Sequence, residues 1–279
     1  VITVPDGFGE GLGEGAPKWV ASLPRLATKI CARWRLTPDG ELMNGFCAVV
    51  LPVRQADGHP AVLKLTWIDE ETEHEALALK LWDGKGVVRL LDHDPELGAL
   101  LLERLDHSYS LHDAPIEEAI DVVGGLIRTL RIPAPAEVRR VEPEIADHPA
   151  VPAKLLDAAR EIGEELVKSQ GDTLVNEDLH YENVLRGGRE PWLMIDPKPV
   201  SGDPEWAVIP LLWNRFSELD SERGLSDRFA AICAAGDLDP ERALGWTLHR
   251  AVSNWIWCLE EDPEAEDVLE KIARWAART

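Results

Sequence analysis

The rhythm of apolar and polar positions changes near residue 105. Before that point, short β-branched and apolar runs alternate with turn residues. Phe46 to Val53 and Ala61 to Thr66 read as strands, with the hairpin signal Asp57-Gly58 between them. Asp69 to Trp82 reads as a helix, because Glu71, Glu75, Ala78, Leu79 and Trp82 fall on one face. Gly84 and Gly86 end it. Val87 to Leu91 and Ala99 to Arg104 are two further strands across a turn with Pro95 and Gly98, and Arg33 to Leu36 is an earlier one. After residue 105, helical stripes take over. Ile116, Ile120, Val123, Ile127 and Leu130 form one, behind the start signal Asp113 and Pro115. Leu155, Leu156, Ala159, Ile162 and Leu166 form the next, opened by Pro152. A strand-rich insert follows at Thr173 to Val175, Val184 to Arg186 and Trp192 to Ile195. Asp203-Pro204 and Asp239-Pro240 then open helices that fill most of 204–277, with a bend at Pro210. The pattern predicts an α+β chain in two parts. Residues 1–105 hold an antiparallel sheet with one helix, and 106–279 are mainly helical.

Composition narrows the class. The chain has 279 residues, 45% of them hydrophobic, enough for a core in each part. No apolar run reaches the roughly 18 residues of a membrane span. Val1 to Gly15 lacks the basic segment and apolar stretch of a secretory signal, so the expectation is a cytoplasmic protein without a membrane partner. Cys31, Cys47, Cys233 and Cys258 show neither CxxC pairing nor zinc spacing to a His, and read as small reduced residues. The formal charge is −22, with 51 acidic against 29 basic residues. That balance argues against a nucleic-acid partner and favours a cationic one. Solubility alone also explains it, so the sign says little about the substrate. A monomer or weak dimer is expected.

The chemistry gathers in one segment. Asp178 follows an apolar strand, Asn183 lies five residues on, and Asp196 thirteen beyond that, after a second apolar strand. Phosphoryl transfer needs such oxygens: one carboxylate to orient the accepting hydroxyl, and an amide and a carboxylate to hold Mg2+ against phosphates. Each residue alone reads as an ordinary turn residue. Order and spacing together match the catalytic and magnesium loops of protein kinases. Upstream, Lys64 interrupts the apolar run Ala61 to Leu65, as a surface-facing strand residue or as a contact to ATP phosphates. Glu75 is its natural ion-pair partner, and Glu71, one turn earlier, competes. The carbonyl of Glu103 and the N–H of Leu105 are placed to pair with the adenine edge. Gly7, Gly9, Gly11, Gly13 and Gly15 are not GxGxxG and follow no strand, so they read as a flexible arm. The phosphate-covering turn is placed instead at Thr37 to Gly45, with Gly40 and Gly45 as contacts.

Asp178-Leu179-His180-Tyr181-Glu182-Asn183-Val184-Leu185, Arg189 to Lys198 and Gly202-Asp203-Pro204 resemble the aminoglycoside/hydroxyurea phosphotransferases, the streptomycin 6-kinase-like branch of the aminoglycoside phosphotransferase superfamily. The resemblance extends through Ala61 to Lys64, Trp82 to Gly84 and Leu101 to Leu105, and covers roughly residues 30–260. It implies a two-lobed protein-kinase-like fold, ATP and Mg2+, and phosphorylation of a hydroxyl on a streptomycin-like antibiotic. It makes Asp178 the catalytic base, Asn183 and Asp196 metal ligands, and Lys64 a phosphate contact. One departure is Asn176, where the family usually has His two residues before the catalytic Asp. The acceptor surface is expected beyond Asp178, from Asp203, Trp213, Trp257, Glu260 and Glu261. Aromatic faces and carboxylates there suit a guanidinium- or amine-bearing sugar, although singly each reads as core or solvated helix. The rival readings are a kinase of hydroxyurea, choline, a sugar or another antibiotic, and a catalytically silent nucleotide-binding protein.

Overall fold

In the computed structural model, residues 2–261 and 263–279 are described, with side chains except those of 260–265. The chain falls into two compact units, Val1–Asp106 and His107–Thr279.

The first unit opens with glycines in the left-handed region. Gly7, Gly9, Gly11, Gly13 and Gly15 have φ from 79° to 97°, and successive turn hydrogen bonds link Glu10 N–H to Gly7 O and Leu12 N–H to Gly9 O. Alternating glycines therefore build a folded prelude, not the flexible arm expected. Its Phe8 ring sits 5.9 Å from Trp19, and Leu12 packs with Ala16 and Cys47. Helix α1 (Ala16–Arg33) follows and buries Leu23, Ala27, Ile30 and Cys31. The strand expected at Arg33 to Leu36 is therefore the end of this helix and its exit.

The strands are β1 (Thr37–Pro38), β2 (Met43–Asn44), β3 (Ala48–Arg54) and β4 (Pro60–Thr66). Helix α2 (Glu75–Trp82) comes next, then β5 (Leu90–Asp94) and β6 (Ala99–Glu103). Among the described residues they form a six-stranded sheet of order β1-β3-β4-β6-β5, with β2 also on β3. Val50 faces Lys64, and Lys64 in turn faces Leu100. β1 and β2 both pair with β3, so the turn placed at Thr37 to Gly45 holds two short strands. The reversal lies at Gly45 to Cys47, where Gly45 N–H reaches Ala48 O at 2.9 Å. Val49, Leu51, Leu63, Leu65 and Leu101 fill the core under α1.

The second unit is mainly helical. Strand β7 (Asp106–Ser110) leads into helices α3 (Ile116–Thr129) and α4 (Ala153–Val167). Strands β8 (Thr173–Asn176), β9 (Val184–Arg186), β10 (Trp192–Met194) and β11 (Pro199–Gly202) follow. Helices α5 (Ile209–Trp213), α6 (Glu222–Gly236), α7 (Pro240–Glu261) and α8 (Pro263–Ala276) complete the chain. Two small sheets, β10-β9-β7 and β11-β8, carry the segment with the chemistry. α3 meets α6 at Gly124, where a Cβ would lie 2.5 Å from Ala235 backbone. The close crossing therefore depends on that glycine. No helix among the described residues is long and apolar enough to cross a membrane.

Candidate active site

In the first unit, Lys64 is 4% exposed and Glu75 1% exposed, and Lys64 Nζ donates to both carboxylate oxygens at 2.7 Å. A cation this deep in a sheet requires a charged partner. The competition between Glu71 and Glu75 is decided by where α2 begins. The helix expected from Asp69 starts at Glu75. Asp69 instead caps a preceding turn, accepting from the N–H groups of Glu71 and Thr72 at 3.0 Å, while Thr72 Oγ1 donates to Trp67 O. Glu71 lies in that turn and is exposed. Glu103 pairs across the sheet with Ala61, and its carboxylate accepts from Arg89 N–H. Leu105 follows the end of β6 and is half-buried. Gly45 sits exposed at the hairpin reversal, and a Cβ there would meet nothing within 4 Å. A groove of about 580 Å³ between α1 and Trp67–Ile68 is lined by neither Lys64 nor Glu75.

In the second unit, Asn176 organises the loop. It is 4% exposed, and its Oδ1 accepts from Asp178 N–H at 3.0 Å and from Lys198 N–H at 2.9 Å. One buried amide thus ties the chain after β8 to the chain before β11. The pairing of those strands, Pro199 opposite Asn176, brings Lys198 there, and Lys198 Nζ lies 3.4 Å from Asp178 Oδ2. Lys198 was visible in Asp196-Pro197-Lys198, but only strand register shows its proximity to Asp178. Asn183 Nδ2 donates to Asp178 O at 3.1 Å, and Asn183 O accepts from Ile195 N–H at 2.8 Å. Asp196 has φ 50°, an uncommon backbone state that Asp tolerates better than most residues. Tyr181 is fully buried, and its hydroxyl donates to Leu211 O. Burial pushes its phenol up to about 12, so it stays a neutral donor.

Beneath the loop, Glu177 accepts from Arg139 and, at 3.1 Å, from Trp206 Nε1. Arg250 reaches Trp206 O and Glu177 O. Sequence reasoning left Glu177, Arg139 and Arg250 unassigned, because their partners are distant in the chain.

The acceptor residues fare unevenly. Asp203 is 5% exposed, and its carboxylate is taken by Gly171 N–H at 2.7 Å, Arg242 Nε at 2.6 Å and Trp246 Nε1 at 2.8 Å. It holds the helical unit together and is withdrawn as an acceptor contact. Trp213 is half-buried beside Arg250, whose guanidinium carbon lies 6.0 Å from its ring. Trp257 is 61% exposed on α7. The side chains of Glu260 and Glu261 lie outside the described residues.

Magnesium takes hard oxygen ligands, typically one or two from protein, the rest from phosphates and water. Asn183 and Asp196 fit that set. The bond from Asn183 Nδ2 to Asp178 O turns the amide so that its oxygen, the atom a metal needs, is not spent on the loop.

A sheet-and-helix unit with a buried Lys–Glu pair, followed by a helical unit with an Asp…Asn…Asp loop, has the architecture of protein-kinase-like phosphotransferases. The choline kinase LicA of Streptococcus pneumoniae has this fold, at TM-score 0.61 and 14% identity, covering 93% of this chain and 100% of that one. The chain belongs to the aminoglycoside/hydroxyurea antibiotic resistance kinase family, whose model matches residues 33–262. It is 41% identical to streptomycin 6-kinase of Streptomyces griseus, over 93% of this chain and 92% of that one. It is 39% identical to hydroxyurea phosphotransferase of Kitasatospora aureofaciens, over 93% and 81%.

Proposed function

We propose that the chain transfers the γ-phosphoryl group of ATP to a hydroxyl of an aminoglycoside-type, streptomycin-like antibiotic and so confers resistance. The observation that carries this reading is Asp178, pinned through its backbone by Asn176 and Asn183 with the Lys198 ammonium at its carboxylate. Asp178 orients the acceptor hydroxyl and takes its proton. Asn183 and Asp196 hold Mg2+, which neutralises charge on the transferring phosphate when bound. Lys64, kept in place by Glu75, takes a phosphate oxygen of the nucleotide. Glu103, Leu105 and Gly45 are nucleotide contacts, and Trp213 and Trp257 belong to the acceptor surface.

A second reading, phosphorylation of hydroxyurea, is supported by the relative of that name. The test incubates purified protein with ATP and Mg2+ against streptomycin, spectinomycin, kanamycin, hydroxyurea and choline, and reads product mass. Streptomycin should gain one phosphoryl group, and Asp178→Asn should lower its turnover about 10²–10⁴-fold with ATP binding retained. Nucleotide binding without any phosphorylated product would instead mark a catalytically silent protein.

A further inference from the structure

We propose that Glu182, held by Asn214 and flanked by His180, is a subsite for a guanidinium group of the acceptor, beside the hydroxyl presented to Asp178. The inference rests on the antibiotic-kinase reading and specifies the cation such an acceptor must carry. Glu182 lies on the single turn Tyr181–Asn183, whose Tyr181 is anchored in the core. Its side chain keeps 59% of its exposure. Its Oε2 accepts from Asn214 Nδ2 at 3.2 Å and faces His180 Nδ1 at 3.6 Å. The carboxylate is therefore aimed by its neighbours yet open to solvent.

The neighbours point to a ligand rich in N–H groups. A carboxylate only accepts, so the Asn214 amide must present its nitrogen to Glu182. That leaves Asn214 Oδ1 as a buried acceptor without a hydrogen-bond partner, and the buried His180 Nδ1 makes no hydrogen bond, only the 3.6 Å approach to Glu182. Unpaired buried polar atoms are costly, and a ligand that recruits one relieves the cost. A guanidinium carries five N–H donors in a planar fork. One edge engages Glu182, and a modest rotation of Asn214 offers its oxygen to another N–H. An ammonium, a compact point charge, cannot span both.

Position sets which guanidinium is taken. His180 Nε2 lies 3.9 Å from Asp178 Oδ1, while its Nδ1 faces Glu182. The two carboxylates thus stand on either side of one imidazole ring. An acceptor must carry its cation close to the reacting hydroxyl. Lys198, 3.4 Å from Asp178 Oδ2, repels a cation arriving on its own side, so the Glu182 side is the approach open to one.

The test is calorimetric titration of streptomycin, which carries guanidinium groups, into the protein with Mg2+ and ADP present. Glu182→Gln should weaken streptomycin binding about 10–100-fold, as expected for loss of a charged hydrogen bond. Its ADP affinity should be unchanged, which shows that the fold is intact. Asn214→Ala should weaken streptomycin in the same direction. Methylguanidinium should displace streptomycin from the wild type, and methylammonium at equal concentration should not. Equal streptomycin affinity in wild type and Glu182→Gln, displacement by both cations alike, or no streptomycin binding by the wild type would each overturn the subsite. Turnover separates this from the wider reading. A wild type that phosphorylates streptomycin while Glu182→Gln keeps the same KM removes only the subsite, whereas a wild type that phosphorylates no antibiotic removes the kinase assignment.

Discussion

Replacing Asn176 with Ala removes one side chain and strands two backbone donors. Asn176 Oδ1 is the acceptor for Asp178 N–H and Lys198 N–H, and at 4% exposure little solvent reaches the site to replace it. Each unsatisfied buried donor costs about 1–3 kcal/mol. The pair therefore sets a range of about 2–6 kcal/mol, and partial relaxation of the loop places the expected loss near 3 kcal/mol. The contact from Nδ2 to Met194 Sδ is a weak bond and adds little. For a unit of this size, that loss lowers the melting temperature by about 6–12 °C. The assay is urea and thermal unfolding of wild type and variant, followed by tryptophan fluorescence and by turnover. Turnover should fall about 10²-fold even well below the melting temperature, because Asp178 and Lys198 lose their common anchor and small misplacements of reacting groups are expensive. Asn176→Asp keeps an acceptor oxygen and should retain more activity than Asn176→Ala. A stability loss under about 0.5 kcal/mol with normal turnover would refute the anchoring role.

Glu75→Leu leaves the Lys64 charge buried beside an apolar group and should destabilise the first unit by about 3–5 kcal/mol. The double variant Lys64→Met/Glu75→Leu should recover most of that stability without recovering nucleotide binding, and additive losses in the unfolding cycle would contradict this. His249 is 1% exposed, with Nδ1 against Ala159 O at 3.0 Å, and burial holds its pKa below the usual 6.5. The unfolded chain then binds a proton that the folded chain refuses. Its contribution is present above pH ~6.5 and is lost as pH falls below that value. Melting temperatures at pH 7.5 and 5.5 should therefore differ less in His249→Gln than in the wild type. Gly163→Ala would ordinarily favour a helix by about 0.5–1 kcal/mol. Here its Cβ collides with the His249 ring, so the melting temperature should drop, and a rise would show that the ring moves aside freely.

What the sequence determined by itself is local. The apolar runs of β3 and β4, the Asp57-Gly58 reversal, the stripes of α3 and α4, and the Asp178…Asn183…Asp196 spacing all depend on neighbours a few residues away. Such patterns can be read without coordinates. The starts and partners of elements were not legible in the same way. Helix α1 was hidden by Pro17 and Pro24 within it and by the glycine prelude, and its apolar face makes sense only against the sheet it covers. Glu71 and Glu75 share a periodic face, and only the Asp69-capped turn decides that Glu75 reaches Lys64. Asp203 looks like an exposed cap until Arg242 and Trp246 close over it from a helix about forty residues away. Lys198 meets Asp178 because β11 returns to pair with β8. For α1, Asp203 and Lys198 the deciding contact joins segments far apart in the chain. Buried polar groups choose such partners to satisfy their hydrogen bonds and charges, and that demand arises only once the chain has packed.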